Sequence, residues 1–194
     1  MIDAHAERQA ALYQGIWAAD PSYGTRMEDV LDTVKHRIVP HVRRLFPFAD
    51  LDVVDFGAGD GRFLFAMLQE LPRMVFGTGV DLHVPRGKLP RGIGWIGEPL
   101  WDAVARCFDY AISTDTLEHM PPEKVAQVLA NIRASAPHGF LRISTKQDIY
   151  GTERGLHLHE TVQPPEWWLE QARAAGIEPS SWRIYPGHAI EIWF

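Results

Sequence analysis

A single cysteine, Cys107, is all the chain contains, which excludes an intramolecular disulfide framework and a cysteine-based zinc site. No apolar run approaches the roughly 20 residues that a membrane-spanning helix needs, so no membrane association is expected. The opening residues, Met1-Ile-Asp-Ala-His-Ala-Glu-Arg8, lack the basic-then-apolar order of a secretory signal. A cytoplasmic location is therefore expected. Basic charge is not in excess either: 19 Lys and Arg stand against 25 Asp and Glu, a formal net charge of −6. Nucleic-acid affinity usually comes from clustered Lys and Arg, so nucleic acid is not an expected partner. Repeats and low-complexity stretches are missing as well. What remains is ordinary for a globular chain: 194 residues, 46% hydrophobic and 23% charged, a length suited to one folded unit.

The residue pattern divides the chain into an N-terminal helical segment, 1–48, and a single α/β unit, 49–194. Ala4 to Trp17 is rich in helix formers, and Asp20-Pro-Ser-Tyr-Gly24 carries loop punctuation. Met27, Val30, Leu31, Val34 and Ile38 have helical spacing within Met27 to Leu45, where Pro40 is expected to kink or end the helix near Ile38. Tyr13 to Arg26, with Gly15 and Gly24 as flexible points, is expected to form a lid. Strands are expected at Leu51–Phe56, Met74–Val80, Ile93–Ile96, Phe108–Ser113 and Phe140–Ser144. Helices are expected at Arg62–Leu71, Leu100–Cys107, Pro122–Ser135 and Pro165–Ala175, the last stopping at Gly176. Trp182–Tyr185 and His188–Phe194 read as two strands around a Pro186-Gly187 turn. This alternation predicts a doubly wound, mostly parallel sheet of Rossmann type, with a C-terminal antiparallel hairpin strand.

The most informative stretch is Val53-Val-Asp55-Phe-Gly57-Ala58-Gly59-Asp60-Gly61-Arg62. Glycines at alternate positions after a strand let the backbone turn tightly and approach a ligand, and the following helix aims its N-terminal amides at the same place. The dinucleotide fingerprint G-x-G-x-x-G would need glycine where Arg62 stands. Asp55 before the loop and Asp60 within it repel a pyrophosphate but suit a ligand carrying an ammonium and a sulfonium.

In these residues the chain resembles the class I S-adenosylmethionine-dependent methyltransferases, from about residue 50 to the end. The resemblance implies S-adenosyl-L-methionine as cofactor, with Asp55, Gly57, Ala58 and Gly59 forming the first binding element. It implies that Asp81, ending the second strand, accepts hydrogen bonds from the ribose hydroxyls, with Leu82 beside the adenine. Glu98 is the nearest candidate for the adenine amino group. Thr114 and Asp115 are implied near the methionyl part of the cofactor. Leu117-Glu118-His119 matches an L-E-H segment that serves packing and capping in many members.

Acceptor chemistry is thinner in the sequence. The Asp/Asn-Pro-Pro-aromatic segment of amino-methylating DNA enzymes, the Pro-Cys of cytosine C5 enzymes and the Asp-Asp-Asn metal set of catechol-type enzymes are all missing. A small molecule or a protein side chain is left as acceptor. His159 is the preferred base, His157 the alternative and His119 the third. His157 and His159 alternate as metal ligands can, but nothing adjacent completes a set, so no metal is expected. Two rival readings remain: an NAD-dependent oxidoreductase on a related fold, and a non-catalytic cofactor-binding partner domain.

Overall fold

The computed structural model describes residues 4–20, 23, 26–85, 89–102 and 106–194. The chain forms two compact units, residues 1–100 and 101–194. Each is built as the sequence predicts for a Rossmann-like fold. Among the described residues, no helix is long and apolar enough to cross a membrane.

In the first unit, α1 spans Ala4–Ala19 and α2 spans Met27–Thr33. The helix does not stop before Pro40. A π-helical stretch, Val34–Ile38, widens the turn, and α3 follows at Val39–Leu45. Val39 donates its N–H to Val34 five residues back, so the proline, which has no N–H and clashes with the preceding turn of a regular helix, enters after the widened turn. Val30, Val34 and Ile38 are fully buried, and α2 and the π stretch pack against α4. The expected lid falls partly outside the described residues, which omit 21, 22, 24 and 25.

Strands β1 (Leu51–Phe56), β2 (Met74–Val80) and β3 (Ile93–Ile96) have the expected bounds and pair in parallel, with β2 between the other two. Helix α4 (Arg62–Glu70) connects β1 to β2 and buries Phe63, Leu64, Ala66 and Met67. The two glycines of β2 have packing reasons. A Cβ on Gly77 would lie 2.6 Å from Met74 Cε and 3.2 Å from Leu64 Cδ2, and one on Gly79 would lie 2.5 Å from the Trp95 ring.

In the second unit, β4 (Tyr110–Thr114) pairs in parallel with β5 (His138–Ser144), joined through α5 (Pro122–Ser135). Val125, Val128, Leu129 and Ile132 are the buried apolar stripe of α5, the i, i+3, i+4, i+7 pattern of a one-sided helix. The hairpin closes the unit. β7 (Ala189–Trp193) runs antiparallel to β5, and β6 (Ser181–Tyr185) runs antiparallel to β7 at the edge. Helix α7 (Pro165–Ala174) ends as expected, with Gly176 at φ +80°. Trp168 is buried and Trp167 half-buried, their rings edge-to-face at 4.9 Å.

Two departures concern short elements. The helix α6 (Ile149–Glu153) was not expected, and it is set by Asp148, whose carboxylate accepts the N–H groups of Tyr150 and Gly151. The helix expected over Leu100–Cys107 lies partly on residues 103–105, outside those described. Leu100 and Trp101 sit in a turn and Cys107 is irregular.

Candidate functional site

In the first unit the candidate site is the loop between β1 and α4. Gly57, Gly59 and Gly61 have φ of +81°, +56° and +83°, a region where an L side chain is strained. The alternate glycines are thus a conformational requirement of the turn. Gly57 donates its N–H to Val80 O at 2.8 Å, and Gly61 donates to Ala58 O at 2.7 Å. Asp81 ties the loop to the end of β2: its Oδ2 accepts the Gly59 N–H at 2.8 Å, and its Oδ1 accepts the His83 N–H at 2.7 Å. Each carboxylate oxygen has a second lone pair, so these bonds do not exhaust it. Burial raises the Asp81 pKa above its ordinary value, against the pull of the two backbone N–H groups.

Asp55 is 1% exposed, and its Oδ1 is buried with no hydrogen-bond partner. Burial pushes this carboxyl well above the usual range, and the charges of Asp81 and Asp60 push it the same way. Asp60 itself departs from the sequence reading. Arg62 folds onto it, with Nη2 2.5 Å from Oδ2 and Nε 2.8 Å from Oδ1, so its charge is answered within the loop. Leu82 is half-buried just past β2, and Glu98 is exposed in the bend after β3. One neighbour of the loop escaped the sequence reading. The Trp95 ring fills the space over Gly79 and approaches to 3.4 Å from where a Gly61 Cβ would stand. The signal was available, since a strand with two glycines beside a tryptophan-bearing strand leaves room for an indole.

In the second unit the candidate residues follow β4. Thr114 is buried at its end, and Asp115 holds φ +50°, unusual for a residue other than glycine. Asp115 donates its N–H to Arg142 O at 2.9 Å, and its Oδ2 accepts from Arg142 Nη1 at 2.6 Å. A 3-10 turn, Leu117–His119, follows. Glu118 is fully buried: Oε1 accepts the Ser144 N–H at 3.1 Å, while Oε2 has no hydrogen-bond partner. Burial raises its pKa well above the ordinary value and the Asp115 charge adds to this, with its own backbone N–H, the Ser144 N–H and Arg142 acting in opposition.

The histidines regroup. His119 and His159 stand edge-to-face, ring centroids 4.6 Å apart. His119 Nδ1 lies 2.9 Å from Leu158 O, and His159 Nδ1 lies 2.6 Å from Lys146 O. A carbonyl only accepts, so both Nδ1 atoms carry the proton and, in the neutral rings, both Nε2 atoms carry the lone pair. Burial, with His159 adding, pushes the His119 pKa down to about 4. His157, which the sequence paired with His159, is exposed, whereas His159 is buried. The segment between them is irregular, so alternate spacing does not put them on one face. Glu118 joins the half-buried His119 and the buried His159 instead, each of the three offering a ligand-capable atom within 4.8 Å of the others.

Residues 30–191 match the family described as "Methyltransferase domain", and the chain belongs to that family. No curated protein matches it. Among solved structures it is similar to a Burkholderia thailandensis 1,6-didemethyltoxoflavin-N1-methyltransferase with 1,6-didemethyltoxoflavin and S-adenosylhomocysteine bound. That likeness has a TM-score of 0.64 and 21% identity, over 100% of this chain and 90% of the other. An O-methyltransferase family protein from the same species gives 0.56 at 19% identity, over 86% of this chain and 58% of that one. Human N-acetylserotonin methyltransferase with S-adenosylmethionine gives 0.56 at 13%, over 86% and 54%. The chain thus spans little more than half the length of the latter two. At these identities the likeness is one of fold.

Proposed function

We propose that this methyltransferase uses S-adenosylmethionine and acts on a small molecule, with the cofactor held in the first unit by Asp55, the loop from Gly57 to Gly61, and Asp81. The observation that carries the cofactor reading is the buried Asp55 Oδ1 with no partner. An unsatisfied buried carboxyl costs free energy that a bound donor restores, and a cationic donor restores most. A pyrophosphate would meet the buried Asp55 and half-buried Asp81 carboxyls instead, which argues against the NAD reading. Asp81 offers the remaining lone pairs of an oriented carboxylate to a diol, and Leu82 offers apolar surface beside it. The glycines keep Cβ atoms away from the approach.

When bound, S-adenosylmethionine supplies a methyl group activated by a positively charged sulfur. Transfer is an in-line displacement, so holding the reacting atoms in line supplies much of the acceleration. A base is needed only for an acceptor whose proton is not lost readily. The small-molecule assignment is supported by the solved relatives that carry small-molecule substrates or are named for them, and by the net charge of −6, which disfavours nucleic acid. A cytoplasmic location agrees with the single cysteine. Calorimetry with S-adenosylmethionine, S-adenosylhomocysteine and NAD tests the cofactor, and a screen of small hydroxyl- and nitrogen-bearing acceptors tests the rest. Saturable NAD binding with no response to either sulfur ligand would end this reading.

A further inference from the structure

We propose that Glu118, His119 and His159 in the second unit form a binding site for one divalent first-row transition-metal cation. Three independent observations converge on it. Their ligand-capable atoms lie within 4.8 Å of one another. Both histidines hand Nδ1–H to a backbone carbonyl, Leu158 O at 2.9 Å and Lys146 O at 2.6 Å, which is the outer-shell arrangement that orients metal-bound imidazoles. Glu118 brings a fully buried carboxyl whose Oε2 has no hydrogen-bond partner, and such an atom calls for a cation or a donor.

The distances are within reach of a metal. Ligands at about 2.0–2.2 Å around a tetrahedral ion stand roughly 3.4 Å apart, so the widest pair must close by about 1.5 Å or less. The surrounding charge permits it. Arg142 is the cation that acts on Glu118, and it is paired with Asp115 at 2.6 Å, so the two together are close to neutral. Asp148 adds negative charge on the His119 side. Two imidazoles and one carboxylate suit zinc, iron, cobalt or manganese and not magnesium or calcium. Three protein ligands leave at least one coordination position open to water or an oxygen of a small molecule. The sequence offered no completed ligand set around His157 and His159; the structure sets His159 beside a histidine from 40 residues earlier.

The test uses the full chain, stripped with a chelator, and requires neither S-adenosylmethionine nor an acceptor, so its failure leaves the methyl-transfer reading untouched. Cobalt(II) titration followed by visible absorption should show one equivalent per chain and a ligand-field band, and zinc should displace it. His159→Asn and Glu118→Gln should each weaken binding by at least the roughly 10–100-fold that loss of an outer-shell partner costs, while His157→Asn should bind as the unaltered protein does. Circular dichroism checks that each variant is folded, and His159→Asn decides the matter if Glu118→Gln is not. No saturable binding to the unaltered chain would overturn the proposal. So would equal binding by the folded His159→Asn protein, or a site that prefers magnesium.

Discussion

At Asp55 and Asp81 the physics of single residues turns into function. Burial holds both carboxyls above their ordinary pKa, so each keeps its proton into a pH range where an exposed aspartate is already ionised. A cationic ligand needs the ionised form. Affinity for S-adenosylmethionine should therefore rise with pH through this range and then level off, with protons released on binding. Calorimetry from about pH 5 to pH 8 in buffers of different ionisation enthalpy measures both, and a flat profile without proton release removes Asp55 from the cation. Asp81→Ala should raise the dissociation constant about ten- to a hundred-fold, equivalent to roughly 1.5–3 kcal/mol for hydrogen bonds to a charged group. Because Asp81 also holds Gly59 and His83, it should lower stability too. Asp81→Asn, which keeps one acceptor oxygen, should lose less of each, and equal affinity in the alanine variant would exclude Asp81 from the ligand. Gly79→Ala tests the Trp95 contact. Its Cβ would come within 2.5 Å of a rigid ring, so about 1–3 kcal/mol of stability should be lost in urea, with a change in tryptophan emission.

Elements were legible where local chemistry fixed both ends. β1 runs into the Gly57 turn, β2 ends at Val80 just before Asp81, and α5 opens on Pro121-Pro122, so their bounds could be read from punctuation and periodicity. The π stretch before Pro40 could not, because whether a helix stops or widens at a proline depends on what its flanks bury, here Val34 and Ile38 against α4. α6 was hidden by its length of five residues, too short for a period. Its existence rests on one cap, and that gives a test. Asp148→Ala should cost about 1 kcal/mol, within the 0.5–2 range for cap removal, measured by urea unfolding. Asp148→Asn should restore most of it, and no loss in the alanine variant would mean that burial of Gly151 alone holds the turn. The Glu118, His119 and His159 group was illegible for another reason. Its members come from segments 40 residues apart, and only the return of the chain after β5 joins them.

At the scale of the molecule, the net charge of −6 favours a cationic ligand over an anionic one, but such a field is screened within about 8 Å at physiological ionic strength. Discrimination between S-adenosylmethionine and NAD must then come from local groups, and it should appear as a difference in global stability. A ligand that binds only the folded chain stabilises it by RT ln(1 + [L]/Kd), about 2.7 kcal/mol at one hundred times Kd. For a chain of this size each kcal/mol is worth roughly 2–4 °C, so saturating S-adenosylhomocysteine should raise the melting temperature by about 5–10 °C. NAD at the same concentration should leave it unchanged, because Arg62 stands where that cofactor's loop requires glycine and Asp55 faces the loop with an unanswered carboxyl. Asp55→Asn should abolish most of the shift while the unliganded protein melts at the same temperature or higher, since the buried charge is gone. A full shift retained by that variant would place the ligand elsewhere, and a shift with NAD alone would return the loop to dinucleotide chemistry.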